Sequence, residues 1–156
     1  MLSKVVKIPS PQNQKKKNMK LNEIIKASGN INGHITVMGR NKGGEWFTIL
    51  EKKNALTSNA VTIISKALGG DTGWNINAIR AYKTSGILAT ASVTATYPAT
   101  NKVQLQAIFS EASFNDTLDE VRLLSLTGGD FSIVTGLSIN KPNTLELSIQ
   151  WLLTIL

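Results

Sequence analysis

A stretch of twelve residues, Thr144–Ile155, carries the clearest hydrophobic pattern in the chain. Six apolar side chains alternate there with neighbours that are polar except at Leu152: Leu145, Leu147, Ile149, Trp151, Leu153 and Ile155. Successive side chains of an extended strand point to opposite faces, so the alternation predicts a long strand with one apolar face. Other parts of the chain must cover that face, because a one-sided strand is not stable alone.

Shorter alternations predict further strands upstream. They cover Ile31–Val37, a hairpin over Met38–Leu50 that turns at Asn41–Gly44, and the segments Ile76–Tyr82, Ile87–Tyr97, Val103–Phe109, Val121–Leu126 and Phe131–Ile139. The Val103–Phe109 segment alternates regularly, and we expect it to pair with the C-terminal strand. Between these segments, Pro98–Asn101 is predicted to form a turn and Glu111–Leu118 a loop.

One segment has helical spacing instead. Apolar residues recur at intervals of three and four over Ala55–Leu68, which predicts an amphipathic helix of about 14 residues. Asn54 is the expected N-cap, with Thr57 or Ser58 as alternatives one turn later. The pair Gly69-Gly70 ends the helix, because glycine readily takes the positive φ that a helix end often needs.

These elements predict one mainly β domain over residues 21–156. We expect an antiparallel, jelly-roll-like β-sandwich with the helix at one end or flank. A chain of 156 residues with 42% apolar and 17% charged residues can bury the core that this fold needs. The start of the domain stays open, since Leu21, Ile24 and Ile25 fit either a short helical turn or a first strand; a turn follows at Ser28–Asn30.

Positive charge is concentrated in the first twenty residues. Of a formal net charge of +7, residues 1–20 contribute +6 through six lysines and no acid: Lys4, Lys7, Lys15, Lys16, Lys17 and Lys20. Pro9, Pro11 and the mutually repelling lysines disfavour regular structure, so we expect a basic extended arm, flexible or ordered by a partner. One interpretation is a solvated tail. The alternatives are binding to an acidic protein surface or to nucleic acid, and addition of residues 4–8 to a neighbour's sheet edge.

Few residues are suited to catalysis or metal binding. The chain has no cysteine, and its single histidine, His34, falls on the polar side of a predicted strand, so we expect a surface residue. Asp116, Asp119 and Glu120 lie close together but lack the spacing and the glycine of an EF-hand loop, which favours a turn with a capping Asp. Common catalytic and nucleotide-binding motifs do not occur. We therefore expect no enzyme activity, no catalytic or metal-binding residues and no cofactor.

Nothing in the sequence predicts a membrane partner or an export signal. The longest apolar run is far shorter than the ~18 residues that span a bilayer. The start, Met1–Ile8, is too short and too rich in lysine for a signal-peptide core. The lack of cysteine fits assembly inside a cell.

Several motifs in a fixed order resemble small structural proteins of tailed bacteriophages. They are Lys53-Asn54 before a helix ending at Gly69-Gly70, the strand Leu118–Leu124, and the closing strand with Ser148-Ile-Gln-Trp151. The similarity covers roughly residues 44–155. Val121-Arg122 departs from the pattern, which tends to have a glycine near the Glu120 position. The resemblance implies a β-sandwich with one helix, without catalytic residues, that assembles with copies of itself or with a capsid or tail protein.

We therefore expect a non-enzymatic structural component of a tailed-phage virion, of the head-decoration, head-fibre or tail-associated type, assembled in the bacterial host cytoplasm. The arm would anchor it to other virion proteins. Leu152 and Leu156 are expected at an exposed apolar strand edge, which favours a homo-oligomer or a contact with a partner over a free monomer.

The alternative is a nucleic-acid-binding module that uses the lysine-rich arm. The absence of arginine and aromatic residues from the arm argues against specific base reading. A third possibility is a carbohydrate-binding module with Trp46, Trp74 or Tyr82 as an exposed platform.

Overall fold

The computed structural model of the protein describes residues 31–156. It contains nine strands and one helix in that range: β1 Ile31–Asn41, β2 Phe47–Asn54, α1 Ala60–Leu68, β3 Ala78–Lys83, β4 Gly86–Ser92, β5 Thr94–Ala99, β6 Lys102–Phe109, β7 Asp116–Ser125, β8 Gly129–Lys141 and β9 Leu145–Ile155. The predicted arm, the segment Leu21–Ile25 and the turn at Ser28–Asn30 lie outside the described residues.

The strands form two antiparallel sheets that pack against each other. The five-stranded sheet has the order β2-β1-β9-β6-β5, and the four-stranded sheet has the order β4-β3-β7-β8. The hairpins β1–β2, β3–β4, β5–β6 and β7–β8 each stay within one sheet, whereas the connections between hairpins cross from one sheet to the other. The predicted antiparallel β-sandwich with one helix is confirmed.

β9 lies in the middle of the five-stranded sheet. It pairs with β1 along its whole length, from Ile155 beside Ile31 to Leu145 beside Asn41. On its other side it pairs with β6, which confirms the predicted partnership of Val103–Phe109 with the C-terminal strand. The expectation of an open apolar edge on this strand is wrong, because strands occupy both of its edges.

The apolar side of β9 forms the centre of the core. Leu147, Ile149 and Trp151 are fully buried, whereas Ile155 at the end of the strand is half-exposed. The indole Nε1 of Trp151 donates a hydrogen bond to Oδ1 of Asn54 at 3.2 Å. Burial of each large apolar side chain stabilises the fold by about 1.5–3 kcal/mol, so this strand is a major contributor to stability.

The helix begins later than the sequence predicts. It has nine residues, because β2 continues through Asn54 and Leu56 then forms a bridge with Ser132 of β8. Asn54 donates to the Ser132 hydroxyl and does not cap the helix. The Thr57 hydroxyl donates to the carbonyl oxygen of Asp130 at 2.7 Å, so it also serves β8. Pairing with β8 therefore overrides the helical spacing of this segment.

The predicted strand over Ile87–Tyr97 is two strands in different sheets. Only Val93 separates β4 from β5, and its N–H donates to the carbonyl oxygen of Asn77 at 3.1 Å. The alternation of threonine and alanine continues through this crossing, because small and β-branched side chains fit either sheet. The sequence pattern therefore contains no signal for the break.

Smaller differences concern element boundaries. β7 begins at Asp116, inside the predicted loop, and β3 begins at Ala78, two residues later than expected. Pro98, expected in a turn, belongs to β5, an edge strand where the missing N–H of proline is tolerated. No helix within residues 31–156 is long and apolar enough to cross a membrane.

Lys141, at the end of β8, is a fully buried lysine. Its Nζ donates to the carbonyl oxygens of Glu111 at 3.0 Å and Phe114 at 2.8 Å, and lies 4.9 Å from the centroid of the Phe114 ring. Burial lowers the pKa of Lys141 from its ordinary value of 10.5. These contacts hold the loop before β7 against the end of β8.

We expect Lys141→Met to lower the free energy of unfolding by about 2–4 kcal/mol, because two carbonyl groups lose their donor. Urea unfolding measures this, with Lys53→Met on the exposed part of β2 as a control that changes stability by less than about 0.5 kcal/mol.

Since the folded-state pKa of Lys141 is lowered, the unfolded state keeps the proton to higher pH. The wild type should therefore gain stability relative to the Met variant as pH rises towards 10.5. Equal small effects of both substitutions would contradict the role of the buried ammonium.

Candidate interaction surfaces

The outer face of the five-stranded sheet has an uncharged centre. Residues paired across antiparallel strands point to the same face, so three rows of side chains lie side by side on it. The rows are His34, Leu152, Gln104 and Thr96; Thr36, Gln150, Gln106 and Thr94; and Met38, Ser148 and Ile108. These eleven residues are called the uncharged face below.

Charged residues border this face on three sides, and the β5 side has none. Arg40 and Glu146 form an ion pair at one end, with 2.6 Å between Nη2 and Oε2. Lys102 lies at the opposite end, and Glu51 and Lys53 lie on β2 along one edge. An uncharged centre within a charged rim is the arrangement that protein–protein interfaces show.

Side-chain contacts fix the polar groups of the uncharged face. Nε2 of Gln106 donates to the Ser148 hydroxyl at 2.7 Å, and Nε2 of Gln150 lies 3.6 Å from the sulfur of Met38. Ser148 is only 1% exposed although it is on the outer side of the sheet, because longer neighbours cover it. The face therefore presents amide and hydroxyl groups whose positions are largely set before any partner binds.

The two leucines predicted as assembly contacts lie in different places. Leu152 belongs to the uncharged face, between His34 and Gln104 of the adjacent strands, and is half-buried. Leu156 follows the end of β9 and is 68% exposed. The six arm lysines lie outside the described residues.

The outer face of the four-stranded sheet carries an ionic cluster instead. Arg122 on β7 forms ion pairs with Glu120 at 2.5 Å and with Asp130 at 2.9 Å. Its guanidinium carbon lies 4.4 Å from the centroid of the Tyr82 ring. The hydrogen bond to Glu120 raises the pKa of Arg122 above its ordinary value. An open groove of about 510 Å³ lies beside this cluster.

The neighbouring carboxylates contact basic or hydroxyl groups. Asp116 pairs with Lys83 at 2.6 Å, and this hydrogen bond lowers the pKa of Asp116. Asp119 accepts from the N–H and the hydroxyl of Thr84, each at 2.8 Å. Within residues 31–156, no group of three or more histidine and carboxylate side chains is arranged to hold a metal ion.

Each aromatic residue named as a carbohydrate platform stacks with a basic side chain. The guanidinium of Arg40 lies 4.5 Å from the Trp46 ring, and the ammonium of Lys66 lies 5.8 Å from the Trp74 ring. Tyr82 lies beneath Arg122, as described above. Cation–π contacts of this kind cover one face of each ring, so a sugar would meet rings with a single open face.

A mainly apolar groove of about 420 Å³ lies between α1 and the strands β5 and β6. Its walls include Ile64, Trp74 and Val103, together with Leu68 and Tyr97, which are 66% and 78% exposed. Among the strands of residues 31–156, β5 is an edge strand that pairs on one side with β6. The groove is a second surface suited to a protein contact.

We expect Arg122→Gln to lower the free energy of unfolding by about 1–2 kcal/mol, because it removes two partly exposed ion pairs and a cation–π contact. Thermal or urea unfolding at low salt measures the loss, and about 1 M salt should reduce it through screening. Arg80→Gln is the control, because Arg80 lies opposite Arg122 on β3 and donates from Nε to the Thr90 hydroxyl but forms no ion pair with a residue in the range 31–156. A loss at Arg122 no larger than that at Arg80 would show that the cluster does not act as a unit.

Comparisons of the chain with protein-family models, with curated proteins and with solved structures find no match. The resemblance to tailed-phage structural proteins therefore stays a prediction from the sequence motifs. What the chain does has to be inferred from its own residues and surfaces.

Proposed function

We propose that the protein is a non-enzymatic structural component of a tailed-phage virion, of the head-decoration, head-fibre or tail-associated type. The observation that carries the proposal is the division of charge: six of the seven net positive charges lie in residues 1–20, beside a nearly neutral β-sandwich. A basic segment of this kind suits an anchor on an acidic neighbour. The sandwich is then the part displayed or packed in the particle.

The fold class supports this proposal. A β-sandwich with one helix is what the resemblance implies, and the closing Ser148–Trp151 motif lies in β9 at the middle of a sheet. The departure at Val121-Arg122 lies within β7, where Val121 is buried and Arg122 forms the ionic cluster on the outer face. A glycine at this place would lose that cluster, so this chain uses the strand differently from the pattern.

The proposed anchoring depends on many weak contacts. An exposed ion pair contributes about 0–1 kcal/mol, so six lysines on one copy give modest affinity for an acidic capsid or tail protein. Several copies bound to one particle gain effective affinity through multivalency. In this proposal, several copies of the chain assemble with the other virion proteins in the bacterial host cytoplasm.

Deletion of residues 2–20 tests the anchor. We expect the remaining chain to keep the circular dichroism and unfolding transition of the full chain, because residues 31–156 form two packed sheets with a buried apolar core of their own. Incorporation into particles, measured by quantitative mass spectrometry of purified virions, should fall strongly. A variant with the six arm lysines changed to glutamine keeps the length and should fall to a similar extent. Normal incorporation of both variants would refute the anchoring role.

The alternative, nucleic-acid binding through the same arm, makes a different prediction. Binding to duplex DNA in a gel-shift titration would weaken steeply between low and physiological salt, with a slope set by about six phosphate contacts. Such binding, combined with normal particle incorporation of the deletion variant, would replace the virion-anchor proposal.

A further inference from the structure

We propose that the uncharged face binds the same face of a second copy of this chain, giving a dimer with two-fold symmetry. The inference rests on the part of the proposed function in which the chain assembles with copies of itself, and it names the surface and the symmetry. In such a dimer the two five-stranded sheets pack face to face.

The size of the face matches what a stable dimer needs. Strands about 4.8 Å apart and rows of side chains about 6.7 Å apart give the uncharged face about 400 Å² of flat area, and the whole outer face with its rim about 800 Å². A standard protein–protein interface buries about 800 Å² per partner. The uncharged face thus corresponds to the core of an interface, and the bordering charged residues correspond to its rim.

Apolar side chains contribute to the centre. Ile108 is 50% exposed, and Met38 and Leu152 are half-buried on the same side of the sheet. Dimerisation would remove these three side chains from water, which is the main driving force for association. Leu152 lies in a different row from Met38 and Ile108, so the apolar area is spread over the face.

The polar groups of the face are complementary to those of a second copy of the chain. Amide side chains carry both donors and acceptors, so Gln104, Gln106 and Gln150 can form hydrogen bonds with the same residues of a copy. The rim carries both signs of charge, with three basic and two acidic residues: Arg40, Lys53, Lys102, Glu51 and Glu146. A two-fold rotation can therefore bring opposite charges together, whereas a rim of one sign would repel its copy.

Gln150 is the residue at the centre of this arrangement. It lies on β9, the middle strand of the sheet, and in the middle of the three rows. A two-fold axis that lies between the two sheets, parallel to them and level with the centre of the face, brings the Gln150 side chains of both copies next to each other. This position makes the proposal testable with a single pair of substitutions.

The experiment compares Gln150→Glu, Gln150→Lys and an equal mixture of the two by sedimentation velocity over a range of concentrations. The wild type should sediment as a dimer at high concentration. Each variant alone should show a Kd raised on the order of 100-fold or more, because like charges meet in a desolvated centre. The mixture should form dimers again, since Glu and Lys then face each other.

Substitutions at Ile87, on the other sheet, serve as controls. Ile87→Glu and Ile87→Lys place the same charges on β4 of the other sheet, where Ile87 is 59% exposed, and should leave the dimer unchanged. A wild type that stays monomeric, single variants that stay dimeric, or a mixture that fails to recover dimers would each overturn the proposal. Particle incorporation of the arm deletion reports on the virion proposal separately, so failure of one does not imply failure of the other.

Discussion

The pairing of β9 with a strand on each side is the interaction on which the rest of the structure depends. β1 and β6 are 38 to 124 residues away from their partners on β9 along the chain, so the five-stranded sheet can form only around β9. The strand also places Leu147, Ile149 and Trp151 in the core. A shift of its register by one residue would move every one of these side chains to the outer face.

The two faces of β9 give the fold its stability and its proposed contact surface. Residues that point inwards are apolar and, apart from Ile155 at the end of the strand, buried, and those that point outwards include Ser148, Gln150 and Leu152 of the uncharged face. A surface supported by a central strand moves little, so association loses little conformational entropy. Under the proposed function, this surface would hold a second copy of the chain and the basic residues 1–20 would provide a separate attachment, which would make the role mechanical.

Sequence patterns predicted the fold class, the C-terminal strand and its partner β6, because alternation reports directly on burial in a two-layer β protein. They did not predict the crossing at Val93, where small side chains fit both sheets, or the late start of α1, where pairing of Leu56 with β8 prevails over local spacing. The buried Lys141 gave no sequence signal. The uncharged face was missed although Gln104 and Gln106 alternate along β6, because only the register of the assembled sheet places them in rows with Gln150 of β9 and with residues of β1 and β5.

Native-state hydrogen exchange of the purified chain tests the central role of β9 most directly. Amides of Leu147–Leu153 that bond to β1 or β6 should exchange only through global unfolding, with an opening free energy equal to that measured by urea. Amides of the edge strands β2 and β5 should exchange faster through local opening. Exchange of the β9 amides at the rate of β5 would contradict the account, because β9 would then not be the strand that holds the sheet together.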